Sequence, residues 1–102
     1  MSKPLFIAAA TLASALALAE TPPPAKEATC KACHGPQGNA PIVASYPKLG
    51  GQNKEYLISA LKAYRAGQRK GGLAAAMTAQ ASQLSDAEID QLAEYYSLQK
   101  QK

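Results

Sequence analysis

The chain has 102 residues, 47% hydrophobic and 18% charged, with a formal net charge of +4, which limits it to one small domain. Positive residues gather mid-chain (Lys48, Lys54, Lys62, Arg65, Arg69, Lys70) and negative ones near the end (Asp86, Glu88, Asp90, Glu94). This pattern reads as ordinary solvated helix faces; the acidic cluster argues against a nucleic-acid partner, though the asymmetry could orient docking on a charged protein.

Lys3, an almost wholly apolar run from Leu5 to Leu18 and small residues at Ala17 to Ala19 predict a cleaved secretory signal over residues 1–19, with the domain at 20–102. An uncleaved anchor is disfavoured because a spanning helix wants about 20 apolar residues. A buried N-terminal helix is disfavoured by Pro22, Pro23 and Pro24, which favour an extended, solvated lead-in. The mature chain of about 80 residues has a thin core and needs a staple. Its two cysteines are too close in sequence for a bridge between them to constrain much of the unfolded chain.

The remaining pattern is all-α, with no period-2 strand signal and no internal repeat. A first helix is expected from Ala25 to His34, stopped by Gly35 and Pro36. A long irregular stretch rich in Gly, Pro and Asn follows, and a loop of that length in so small a domain normally has a function. The second helix starts near Asn53, a good N-cap, places Leu57, Ala60, Leu61 and Tyr64 on one face, and closes at Gly67. Residues 67–83 read as a second loop. Ser85 then opens the last helix with a capping box completed by Glu88, and Ile89, Leu92, Ala93 and Tyr96 form its apolar face.

Both cysteines and the only histidine lie together in "CKACHG". On a helix, Cys30 and Cys33 share a face and His34 lies one turn beyond Cys30, which suits a flat ligand gripped along one edge. C-x-x-C-H is the attachment signature of c-type haem: two thioethers hold the macrocycle and the His34 imidazole reaches the iron. Zinc, thiol redox chemistry and a bare disulfide are the alternatives. Zinc would need a carboxylate as fourth ligand, and a thioredoxin-like dithiol needs a βαβ context that is absent. With no second histidine, the thioether of Met77 is the natural donor on the other side of the iron, against the alternative of a gap-filling core methionine.

Through "CKACHG", "YPKLGGQNKEYLISALKAYRAGQR" and "MTAQASQLSDAEIDQLAEYYSL" the chain resembles the class I c-type cytochromes, most closely the short bacterial monohaem type, and is similar to one domain of the tandem dihaem bacterial cytochromes. The resemblance implies a small fold of three main helices and two long loops wrapped around one covalently attached haem c with its iron. It implies that Cys30 and Cys33 carry the haem and that His34 and Met77 are the axial pair. It further implies that the Pro47 region lies on the proximal side, where a backbone carbonyl accepts a hydrogen bond from His34 Nδ1, and that Tyr95 or Tyr96 packs the last helix against the first. Many relatives carry a proline or second methionine just before the ligand, whereas this chain has Ala74 to Ala76.

A haem iron with both axial positions filled gains and loses one electron, so the expected function is a periplasmic electron carrier and not an enzyme. A raised potential follows from the methionine ligand and apolar burial. Tyr46, Gln52 and Arg65 are candidate propionate partners, with surface or packing roles as the alternative. The expected partners are an electron donor, such as a quinol-oxidising complex or dehydrogenase, and an acceptor, such as a terminal oxidase or reductase. No nucleic acid and no stable membrane insertion are expected, and the protein is expected to be a monomer. The competing functions are the haem subunit of a fixed redox complex, or a gas-binding or peroxidase-like protein if Met77 leaves the iron.

Overall fold

The structure is a computed structural model that describes residues 22–101; the expected signal segment lies outside them. Among the described residues there are four α-helices, one 3-10 turn and no strand: α1 (Glu27–His34), the turn Pro36–Gly38, α2 (Lys54–Arg65), α3 (Ala74–Ala81) and α4 (Asp86–Ser97). None of these helices is long and apolar enough to cross a membrane.

The strongest local signal in the sequence is realised in full at α4. Ser85 Oγ accepts from the Glu88 backbone N–H at 3.1 Å, and the Glu88 carboxylate accepts from the Ser85 N–H at 2.9 Å, so two orphan donors of the first turn are satisfied reciprocally. The expected apolar face follows: Ile89, Leu92, Ala93 and Tyr96 are all buried. At α2, Asn53 stands at the N-cap with extended backbone, but its side chain makes no capping bond. α1 begins at Glu27 rather than Ala25, because Ala25 and Lys26 form a turn in which the Glu27 N–H donates to the Pro24 carbonyl at 3.0 Å.

The expected second loop needs correction. It contains a helix, α3, which carries Met77. Alanine has the highest helix propensity, and five of the eight α3 residues are alanine; the helix escapes a periodicity search because small residues surround its whole circumference. Its first turn has no side-chain cap, and Gly71 and Gly72, both at positive φ, stand just before it.

α2 is the hub, packing on both α3 and α4. Arg65 at its end donates to the Leu84 carbonyl at 3.1 Å and pairs with Asp86 at 2.6 Å, tying α2 to the start of α4. Lys54 at its beginning pairs with Asp90 and Glu94 at 3.5 and 3.0 Å. The acidic end of the chain is therefore spent on cations of the same domain, including Lys26, which reaches Glu88 at 3.9 Å.

The long segment between α1 and α2 is irregular, as expected, yet pinned. The Leu49 N–H donates to the Gly38 carbonyl at 2.7 Å, the Gly51 N–H to the Tyr96 carbonyl at 2.9 Å, and Asn39 Nδ2 to the Lys100 carbonyl at 2.8 Å. Gly35, at φ 79° and ψ 173°, occupies backbone space that is open essentially to glycine alone, and a Cβ there would collide with the Ala40 carbonyl. This turn folds the segment back beneath α1.

Candidate functional site

Between α1, the pinned segment, α2, α3 and α4 lies a cleft of about 240 Å³, with Leu92, Ala93 and Tyr96 contributed by α4. The apolar face expected of α2 opens onto it: Leu57, Ala60, Leu61 and Tyr64 all line the cleft. Cys30, Cys33 and His34 line it from α1, and Met77 from α3. The four residues selected from the sequence are thus brought to one cavity by two helices that do not pack substantially on each other.

His34 is 5% exposed, and its Nδ1 lies 2.8 Å from the Pro47 carbonyl oxygen. A carbonyl can only accept, so Nδ1 carries the proton and the lone pair of a neutral ring is on Nε2. This is the bond expected on the proximal side, made by the residue expected to make it. Tyr46 adds a tilted ring contact at 6.2 Å between centroids.

Cys30 and Cys33 are not joined to each other. Burial pushes the Cys30 thiol above its ordinary value, the Tyr96 hydrogen bond opposing and the Glu27 carboxylate adding to the rise. Among the described residues no three His, Cys, Asp or Glu side chains converge as a metal site. What the donors do share is an apolar cavity with two thiols along one edge and an imidazole beside them, and these residues fit a covalently held macrocycle.

The first and last helices meet through Tyr96, with buried Tyr95 beside it in the same core cluster. The Tyr96 hydroxyl donates to Glu27 Oε2 at 2.8 Å in the interior, and burial first, then the nearby Cys30 and Glu27 groups, hold the phenol well above its usual range, so it is a neutral donor. Of the candidate propionate partners, Tyr46 and Gln52 line the cleft and Arg65 does not, being committed to Leu84 and Asp86. The guanidinium present in the cleft is Arg69, which sits 4.5 Å over the Tyr64 ring. Sequence reasoning missed Arg69, and the signal was slight: a tyrosine and an arginine on either side of the Gly67 turn. It also missed the burial of Glu27, although Glu27, Cys30 and His34 follow the i, i+3, i+7 spacing of one helix face.

An all-α domain built around an apolar cleft, with C-x-x-C-H on one wall and a methionine on another, is the architecture of a small haem-binding cytochrome. Sequence comparison agrees, and the chain belongs to the class I c-type cytochrome family: the family described as "Cytochrome C oxidase, cbb3-type, subunit III" matches residues 19–95. The chain is 58% identical over 76 residues to cytochrome c-554(548) of Halomonas halodenitrificans, spanning 72% of this chain and 88% of that protein. It is 44% identical over 70 residues to cytochrome c4 of Thiocapsa roseopersicina, and 43% identical over 68 residues to the thiosulfate dehydrogenase electron acceptor of Stutzerimonas stutzeri. Those alignments cover 69% and 67% of this chain but only 34% and 31% of the two relatives, so the chain spans about a third of their length. Family membership brings a covalently bound haem c with its iron, and the chain is a haem electron-transfer protein.

Proposed function

We propose that this chain is a periplasmic one-electron carrier in which Cys30 and Cys33 form the thioethers and His34 and Met77 bind the iron. The observation that carries this reading is the 2.8 Å bond from His34 to Pro47: it fixes the ring and leaves Nε2 as the only nitrogen able to coordinate. When bound, the haem supplies reversible one-electron chemistry. The Leu57, Leu61 and Leu92 side chains give the cleft an apolar lining, and such a lining disfavours the extra charge of the oxidised state. Met77 contributes a soft neutral donor that favours the reduced state. With His34 and Met77 both committed, the chain leaves no open position for a substrate, so it acts as a carrier and not as an enzyme.

Removal of residues 1–19 on export would deliver the domain to the periplasm, where it works as a monomer. An electron donor of the quinol-oxidising or dehydrogenase class, and an acceptor of the terminal oxidase or reductase class, suit this chemistry. The relative named as an electron acceptor of thiosulfate dehydrogenase supports a dehydrogenase as donor.

The test is to express the chain with its N-terminal segment in a periplasm containing haem-maturation machinery, and to record oxidised and reduced spectra before and after acid-acetone extraction. Haem that stays with the polypeptide and resists carbon monoxide and cyanide at neutral pH is the expected result. Ready binding of either ligand would move the protein to the gas-binding or peroxidase-like class, and a colourless protein would refute the haem reading.

A further inference from the structure

Glu27 is the one carboxylate among the described residues that is buried, 4% exposed. The α4 carboxylates lie toward solvent, and Asp86, Glu88, Asp90 and Glu94 each have a cationic partner. Glu27 has no such partner among the described residues: the neighbouring Lys26 turns to Glu88, and Glu27 receives a neutral hydrogen bond from Tyr96. The groups around it are Tyr96 and Tyr95 from α4 and Cys30 from its own helix, none of them cationic. A buried carboxylate with one neutral donor is unfavourable unless positive charge lies nearby.

Glu27 does not itself line the cleft, but Cys30, one turn on along α1, does, and the proposed function brings to that cleft one new positive centre, the iron, whose oxidised form carries one more positive charge than its reduced form. We propose that Glu27 is a potential-setting residue, whose buried charge favours the oxidised state and holds down a potential that Met77 and the apolar cleft would otherwise raise further. This inference rests on haem attachment at Cys30, one helical turn from Glu27. The reaction concerned is transfer of one electron from a reduced donor to the oxidised centre, with no bond made or broken; Glu27 shifts its equilibrium and touches neither partner. At an effective dielectric of about 20, a unit charge alters a neighbouring charge equilibrium about tenfold at about 12 Å, and tenfold corresponds to about 59 mV for a one-electron couple.

The experiment is a spectroelectrochemical titration of the holoprotein and its Glu27→Gln, Glu27→Met and Glu27→Asp variants at neutral pH. Glutamine keeps an acceptor for the Tyr96 hydroxyl while removing the charge, methionine gives a second neutral side chain of similar length, and aspartate keeps the charge. The expected result is that a neutral variant shifts the equilibrium toward the reduced form by about three- to tenfold, while Glu27→Asp stays near the parent value. A neutral variant that holds haem and lies within twofold of the parent, or an aspartate variant that shifts as far as the neutral ones, would overturn the inference while leaving haem binding intact. Absence of haem from the parent protein would instead refute the function on which the inference rests, and the inference with it.

Discussion

α2 and α4 are both twelve-residue amphipathic helices, and they differ in what covers their apolar faces. At α4, Ile89, Leu92, Ala93 and Tyr96 are between 0 and 2% exposed, buried by the protein itself. At α2 only Leu57 is buried, while Ala60, Leu61 and Tyr64 remain half-covered along the cleft. The same kind of sequence pattern therefore ends in two environments. Protein packing already buries the α4 face, of which Leu92, Ala93 and Tyr96 also wall the cleft, whereas the α2 face stays half-covered toward that cleft, where the proposed haem would supply the apolar surface that a domain this small lacks.

The largest effect should come from removing what completes the α2 face. Cys30→Ser together with Cys33→Ser is expected to yield a protein without covalent haem that loses roughly half or more of its helical circular dichroism, since the remaining core is too thin to hold four helices. A double variant as helical and as thermostable as the parent would show that the cleft needs no occupant.

Next comes the turn at Gly35 that ends α1 directly after His34. Gly35→Ala introduces a side chain at φ 79° against the Ala40 carbonyl, and about 1–3 kcal/mol of strain is expected before any repacking, read as a lower denaturation midpoint in the holoprotein. On the α4 side, Tyr96→Phe removes the donor to buried Glu27 seen among the described residues and should cost about 1–3 kcal/mol. If that loss is also seen in protein lacking haem, the α1 to α4 crossing stands on its own and the contrast between the two halves is weaker than drawn here.

The smallest effect concerns the surface pairs around α4. Arg65 holds the Asp86 carboxyl below its ordinary value of 3.8, and the Ser85 backbone does the same for Glu88, whose ordinary value is 4.5. A lowered folded value means that the fold favours the ionised form, so this stability is fully present above the ordinary value and is lost as pH falls from there through the lower folded value. Acid denaturation should thus steepen below about pH 4.5, and Asp86→Asn should flatten part of that slope. Both groups are exposed to solvent, so high salt should diminish the difference.

The parts of the molecule legible in the sequence are those written in local rules. The α4 capping box, the stop at Gly35 and the two apolar faces follow from spacing within a few residues, and the gathering of Cys30, Cys33, His34 and Met77 at one cleft follows the motif and the family resemblance. Features decided by tertiary contact were hidden. α3 has no periodicity because its residues are nearly all small. Arg65 is drawn away from the cleft by Asp86, 21 residues on, which no local pattern encodes. The burial of Glu27 depends on Tyr96, 69 residues on, and no local pattern encodes that contact.

The most direct test of the account is the weak far-red charge-transfer band of the oxidised holoprotein, which reports an iron bond to a methionine sulfur, compared between the parent chain and Met77→Ala. The account predicts the band in the parent and its loss in the variant, with covalent haem retained in both. A band that survives Met77→Ala, or a parent that holds haem without it, would contradict the pairing of His34 with Met77 across the cleft.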